Sequence, residues 1–231
     1  MPVADPKPAA TGLASAPEGA PTRGPRIVVL AAHPRLDQSR VNRQLMRAAR
    51  GAGADGSVAV RDLYALYPDY LIDVNAEQAA LESARLVVWL HPMQWYGMPP
   101  LLKLWLDEVL TLGWAYGQGG DALQGKDVWL VASTGGAESS YHPRGYNRYF
   151  FDAFLPPYEQ SAVLCGMRFL PPLVLHGAHQ ASDATIAAHA ATFADRLERY
   201  PDWDELQGLE ACPACEVPPS ERPHVNLADA A

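Results

Sequence analysis

The chain is poor in the features that assign a protein most quickly. It has three cysteines in 231 residues, Cys165, Cys212 and Cys215. Three thiols make no disulfide framework, so a packed core has to hold the fold, and a reducing, cytoplasmic setting is expected. No apolar run approaches the ~18–20 residues needed to cross a bilayer. The first 25 residues are rich in Ala and Pro and lack the apolar stretch of a secretory signal. Positive charge is scarce: 18 Lys and Arg stand against 26 Asp and Glu, for a formal net charge of −8. That excludes a general nucleic-acid binder, which needs a basic face to neutralise phosphates. An anionic cofactor stays open, because backbone N–H groups at a helix start hold a phosphate without any net positive charge.

Signature motifs are missing too. No GxGxxG follows the first strand, where the dinucleotide fingerprint would stand, and there is no GxxxxGKS/T, so neither the fingerprint nor the P-loop is present. His176, His179, His189 and His224 share no ligand spacing with Cys or acidic residues, and no metal site is expected. His176 ends a buried run and reads as structural. Cys212 and Cys215 form a lone CxxC in a Pro-rich tail, which reads as inert, with weak metal or redox use as the alternative.

What remains is a core in alternating pieces. Apolar residues make up 48% of the chain and charged residues 19%, below the usual quarter. Residues 1–25 read as a disordered leader and residues 204–231 as a flexible tail, leaving 26–203 as one folded domain. Within it, 26–32, 85–90, 126–133 and 169–176 are near-continuous apolar runs of the kind buried on both faces of a sheet. Residues 57–62 form a shorter alternating strand. Helical patterns fall at 39–50, 75–84, 101–110, 155–166 and 182–200. Strands alternating with helices imply βαβ units. The expected fold is α/β, a doubly wound five-stranded parallel sheet with helices on both faces. Ligands of such sheets sit outside the carboxyl ends of the strands, near the switch point.

Three strand exits therefore carry the functional reading. After the first strand come His33 and Pro34, then Ser39, Arg40, Val41 and Asn42 at a helix start. Hydroxyls and free N–H groups there suit a phosphate, although Ser39 or Asn42 as an ordinary cap explains the same residues. After the third strand comes HPMQWYGMPP. Met93, Gln94, Trp95 and Tyr96 could offer donors and an aromatic rim to a planar heterocycle; a Pro-stiffened packed loop is the plainer alternative. After the fourth come Ser133, Thr134, Gly135 and Gly136, where paired glycines let the backbone approach a ligand closely.

Together these segments resemble the flavodoxin-like NAD(P)H:quinone oxidoreductases, and among them the KefF and KefG type of ancillary protein of glutathione-regulated potassium efflux. The residues that carry the likeness are His33-Pro34 with Ser39 to Asn42, LYPDY at 66–70, and HPMQWYGMPPLLKLWLDEVL at 91–110. GWAYG at 113–117, LQGK at 123–126, STGG at 133–136 and CGM at 165–167 followed by LPP at 170–172 complete it. The resemblance covers about Arg26 to Arg199 and implies the flavodoxin-like form of the doubly wound sheet, of order 2-1-3-4-5. It implies FMN, or FAD as in some relatives, with His33 and Ser39 to Asn42 at the phosphate and Met93 to Tyr96 at the isoalloxazine. Ser133 to Gly136 would close over the ring. It implies hydride transfer from NADH or NADPH and two-electron reduction of a quinone in a ping-pong cycle, usually by a homodimer. It also implies, as an alternative role, a regulatory subunit on the cytoplasmic domain of a potassium-efflux transporter, peripheral at the inner membrane. An electron-carrier flavodoxin fits less well, because a carrier needs no aromatic substrate loop.

The chain departs from the mammalian-type relatives at one point. They follow the Thr-Gly-Gly turn with a Tyr and a His; here Tyr141 matches, the His position holds Asn147, and His142 lies nearby. Tyr141 and His142 are thus the catalytic candidates, Tyr141 as a hydrogen-bond donor or as a lid aromatic without a chemical role. Flavin reduction puts negative charge near N1 and the C2 carbonyl, and the Thr134–Gly136 backbone is the candidate donor set there.

Overall fold

The structure is a computed structural model that describes residues 25–207 and residue 209. Almost all of the expected leader, and the Cys212–Cys215 tail, lie outside the described residues. Five strands are present: β1 (Ile27–Ala31), β2 (Val58–Asp62), β3 (Leu86–Pro92), β4 (Asp127–Ser133) and β5 (Arg168–Leu175). The main helices are α1 (Arg40–Ala52), α2 (Leu63–Leu66), α3 (Val74–Glu82), α4 (Pro100–Val109), α5 (Pro156–Leu164) and α6 (Asp183–Arg199). The strands pair in the order β2-β1-β3-β4-β5, and every pairing is parallel. The expected flavodoxin-like fold is what the chain adopts.

Side chains alternate across a strand, so a run buried throughout must feed two cores. Val28, Leu30, Val87, Trp89, Val128 and Leu130 pack with Leu101, Trp105 and Val109 of α4 and with Tyr158 of α5. Ile27, Val29, Val88, Leu90, Trp129 and Val131 pack on the other face with Leu45 and Met46 of α1 and Phe193 of α6. That is why β1, β3 and β4 carry no polar alternation. β2 and β5 are the edges, and each is only partly buried.

The helix ends follow from local chemistry. Ser39 caps α1 by accepting the Asn42 N–H, and Ser182 caps α6 by accepting that of Thr185. Gly166, at φ 70°, closes α5: its N–H reaches the Val163 carbonyl and the Met167 N–H reaches that of Ala162, the Schellman pattern. One residue ties the α3–α4 face to the sheet. Glu77, fully buried, accepts from the Arg61 Nε at 2.9 Å, from the Trp105 Nε1 at 2.8 Å, and from the Tyr67 hydroxyl. A short turn at Asp204–Leu206 follows α6. Trp203 is buried, Leu206 packs against the α6 core, and Arg196 pairs with Glu205.

Candidate functional site

The strand order reverses between β1 and β3, and their C-terminal ends open on the exits singled out by the sequence. These exits are bonded to one another. The Asn42 Nδ2, at the start of α1, donates to the Ser133 Oγ at the end of β4 at 3.0 Å. The Met93 N–H, at the end of β3, donates to the Ser133 carbonyl at 2.8 Å. Ser133 is thus the point where the three segments meet.

The first exit is a set of donors. Ser39 Oγ accepts from the Asn42 N–H at 3.1 Å and from its Nδ2 at 3.3 Å, which leaves the hydroxyl proton free. The N–H groups of Arg40 and Val41 precede the first intrahelical bond of α1. Burial lowers the pKa of His33, with Arg35 adding to the shift, so the ring is neutral near pH 7. Its Nδ1 accepts the Arg35 N–H at 3.1 Å, which puts the ring proton on Nε2 as a further donor. The Asn42 Oδ1 is buried with no partner. The Arg40 guanidinium pairs with Asp183 across the rim. The ordinary-cap reading of Ser39 is therefore correct as far as it goes; the cap leaves donors over.

The second exit is a tight turn. The Gln94 N–H donates to the Gly97 carbonyl at 2.9 Å, and the Gly97 N–H returns the bond to Gln94 at 3.0 Å. Trp95 and Tyr96 between them sit at φ 49° and 64°. Two left-handed central residues make a type I′ turn, a shape normally given to Asn-Gly. Two aromatics in it store strain, which marks functional loops. Among the described residues the N–H groups of Trp95 and Tyr96 have no protein acceptor, and Trp95 is 95% exposed. The Met93 N–H, by contrast, is spent on Ser133.

The third exit divides in the same way. The Thr134 N–H goes to the Leu175 carbonyl at 2.9 Å, whereas those of Gly135 and Gly136 have no acceptor among the described residues. Tyr141 rests edge-on against Phe151 and Phe154 and lies 5.1 Å, ring to ring, from His176. Asn147 sits at this cluster, its Oδ1 3.4 Å from the Tyr96 hydroxyl and its Nδ2 beside Gly136. His142 is placed elsewhere. It is exposed, accepts the Arg144 N–H and meets the edge of Phe150. His176 reaches Thr134 directly, with Nδ1 3.0 Å from Oγ1, and His179 lies over Gly135. From the sequence His176 reads as structural, because a contact across 42 residues leaves no local trace.

The flavodoxin-like fold family matches residues 25–197. The chain belongs to that family. Among its flavodoxin-like relatives, the glutathione-regulated potassium-efflux ancillary protein KefF of Citrobacter koseri is 46% identical over 171 residues, 74% of this chain and 94% of that protein. General stress protein 14 of Treponema denticola, solved in complex with FMN, superimposes with a TM-score of 0.70 at 36% identity, over 75% of this chain and 98% of that one. A Klebsiella pneumoniae protein provisionally described as a quinone reductase gives 0.66 at 25% identity, over 78% and 87%. The flavodoxin-like core of the present chain is therefore spanned by each of them. No helix among its described residues is long and apolar enough to cross a membrane, and no group of metal-ligating side chains is found among them.

Proposed function

We propose that the chain is an FMN-dependent NAD(P)H:quinone oxidoreductase, working as a cytoplasmic homodimer through the 26–203 domain, with leader and tail outside it. One observation carries the reading: three strand exits are hydrogen-bonded to one another at Ser133, and each has donors left without a protein acceptor. The free donors suit an anionic, acceptor-rich group, while the orphaned buried Oδ1 of Asn42 is an acceptor and would take a hydroxyl of the same ligand.

FMN, when bound, supplies the redox chemistry, accepting a hydride from NAD(P)H and passing two electrons to a quinone. His33, the Ser39 hydroxyl and the N–H groups of Arg40 and Val41 would hold its phosphate. The free N–H groups of Trp95 and Tyr96, and of Gly135 and Gly136, would orient the ring. The latter pair would also stabilise the negative charge gained on reduction, because fixed donors need no reorganisation. Trp95 and Tyr96 would line the space for nicotinamide and quinone, with Tyr141 as donor or lid. His142, turned outward, would act at the loop surface. FMN rather than FAD is supported by the Treponema complex.

A second reading is favoured by the identity with KefF. In it the chain is an ancillary subunit on the cytoplasmic domain of a potassium-efflux transporter, peripheral to the inner membrane, with little turnover. The test is optical. The purified protein is expected to be yellow, to release FMN on denaturation, to bleach within seconds of adding NADPH and to recover with a soluble quinone. Bound flavin that stays oxidised under excess NADPH and NADH, with tight binding to a transporter domain, selects the second reading. A colourless protein that takes up no flavin removes the first.

A further inference from the structure

The segment after β5 grips the Thr134–Gly136 turn from behind. The Thr134 N–H reaches the Leu175 carbonyl at 2.9 Å, the Gly177 N–H reaches that of Gly136 at 2.8 Å, and the Ala178 N–H reaches that of Thr134 at 2.8 Å. A side-chain relay joins the same two segments. The Thr134 hydroxyl, almost fully buried, donates to the Gly136 carbonyl at 2.8 Å. Its one proton is thereby used, so the 3.0 Å contact with His176 must run the other way, from the Nδ1–H to Oγ1. The imidazole is half-buried between Tyr141 and Phe151, with ring separations of 5.1 and 5.0 Å. Burial lowers its pKa, partly opposed by Glu138, so the neutral ring is the form that makes this contact near pH 7.

We propose that His176 is a positioning residue for the cofactor: through the Thr134 hydroxyl it fixes the turn whose Gly135 and Gly136 N–H groups are left free. Two glycines in a row hold no conformation by themselves, because each samples a wide range of φ and ψ. Their N–H groups act as fixed dipoles only if something else supplies the rigidity. The backbone bonds anchor the turn to the segment after β5, and the His176–Thr134–Gly136 chain ties its two ends to each other across Gly135. The inference rests on the flavin reading and adds to it the residue that keeps these donors in place. Loosening the turn should weaken the reduced, more negative form of the cofactor more than the oxidised form.

The experiment compares wild type with His176→Phe, His176→Asn and Thr134→Val, reading FMN affinity by fluorescence quenching of added FMN and the two-electron midpoint potential. Phe keeps a ring between Tyr141 and Phe151 but has no donor. Asn has an N–H near the place of Nδ1. His176→Phe and Thr134→Val are each expected to bind FMN about tenfold more weakly. A further tenfold bias against the reduced form would move the potential about 30 mV more negative. His176→Asn should recover most of both losses, and the Phe/Val double variant should be no worse than either single one. Should His176→Phe fail to fold, Thr134→Val against Thr134→Ser reads the same relay. Wild-type affinity and potential in His176→Phe, or in Thr134→Val, would overturn the inference while the flavin reading stands. A wild-type chain that takes no FMN overturns both.

Discussion

An imidazole sealed inside the sheet sets a condition on pH. His91 is fully buried at the end of β3, stacked on Tyr158 with ring centroids 5.7 Å apart and planes 11° from parallel. Its Nδ1 bonds the Pro92 carbonyl at 3.0 Å, and its Nε2 is buried with no partner. A second proton there would have nothing to meet, and burial pushes the pKa down to about 4. The unfolded chain, with an ordinary histidine near 6.5, binds that proton more readily. The folded state therefore holds its full advantage above about pH 6.5 and loses it as pH falls towards 4. The loss should reach about 3 kcal/mol. Urea denaturation at pH 7.5, 6, 5 and 4 is expected to show the midpoint falling through this window, and His91→Phe to flatten that part of the curve. Parallel pH profiles for the two proteins would show that other groups carry the effect.

At the scale of elements, the turn between β3 and α4 works against its own residues. A left-handed conformation costs a non-glycine residue about 1–2 kcal/mol, and Trp95 recovers little of that by packing, being almost wholly in solvent. Trp95→Asn should leave the fold as stable or about 0.5–1 kcal/mol more so, because Asn tolerates this conformation. Quinone reduction should fall severalfold, because an aromatic wall of the proposed substrate space is gone. A clear drop in the melting temperature would mean that the ring is held by contacts the fold needs. The same scale shows which elements the sequence could disclose. β1, β3 and β4 were legible as unbroken apolar runs because both of their faces are covered. α2 was not: a single turn, Leu63–Leu66, has no length over which a helical period can register. His176 reads as structural for a related cause, since its partner Thr134 lies just past the end of another strand. The positive φ values at Trp95 and Tyr96 belong to the Gln94–Gly97 turn, and no residue type in WY announces them.

For the molecule as a whole, charge and site pull in different directions. The chain carries −8, while the proposed phosphate site is a local array of N–H and hydroxyl dipoles that acts only over a few ångströms. An FMN phosphate approaching from solvent feels the net charge first. Association should therefore speed up with added salt, by roughly two- to fivefold between ~20 and ~200 mM KCl, as the Debye length contracts. Stopped-flow quenching of FMN fluorescence measures it. A rate that falls with salt would mean that a basic surface guides the ligand, with Arg40 at the rim as the nearest candidate. What the sequence could supply at this scale was which segments leave the strands, because strand exits in an open parallel sheet are few. The bonds through Ser133 that tie the exits together depend on strand register, which no single segment encodes.

β5 carries two adjacent prolines, Pro171 and Pro172, where its register with β4 shifts between Trp129 and Val131. Proline has no N–H, so this outer margin cannot continue the ladder into a neighbouring chain. Stacking of copies sheet-to-sheet along that side, the first step towards fibrils, is thereby blocked. On this side of the sheet, pairing of two chains is left to helices and loops.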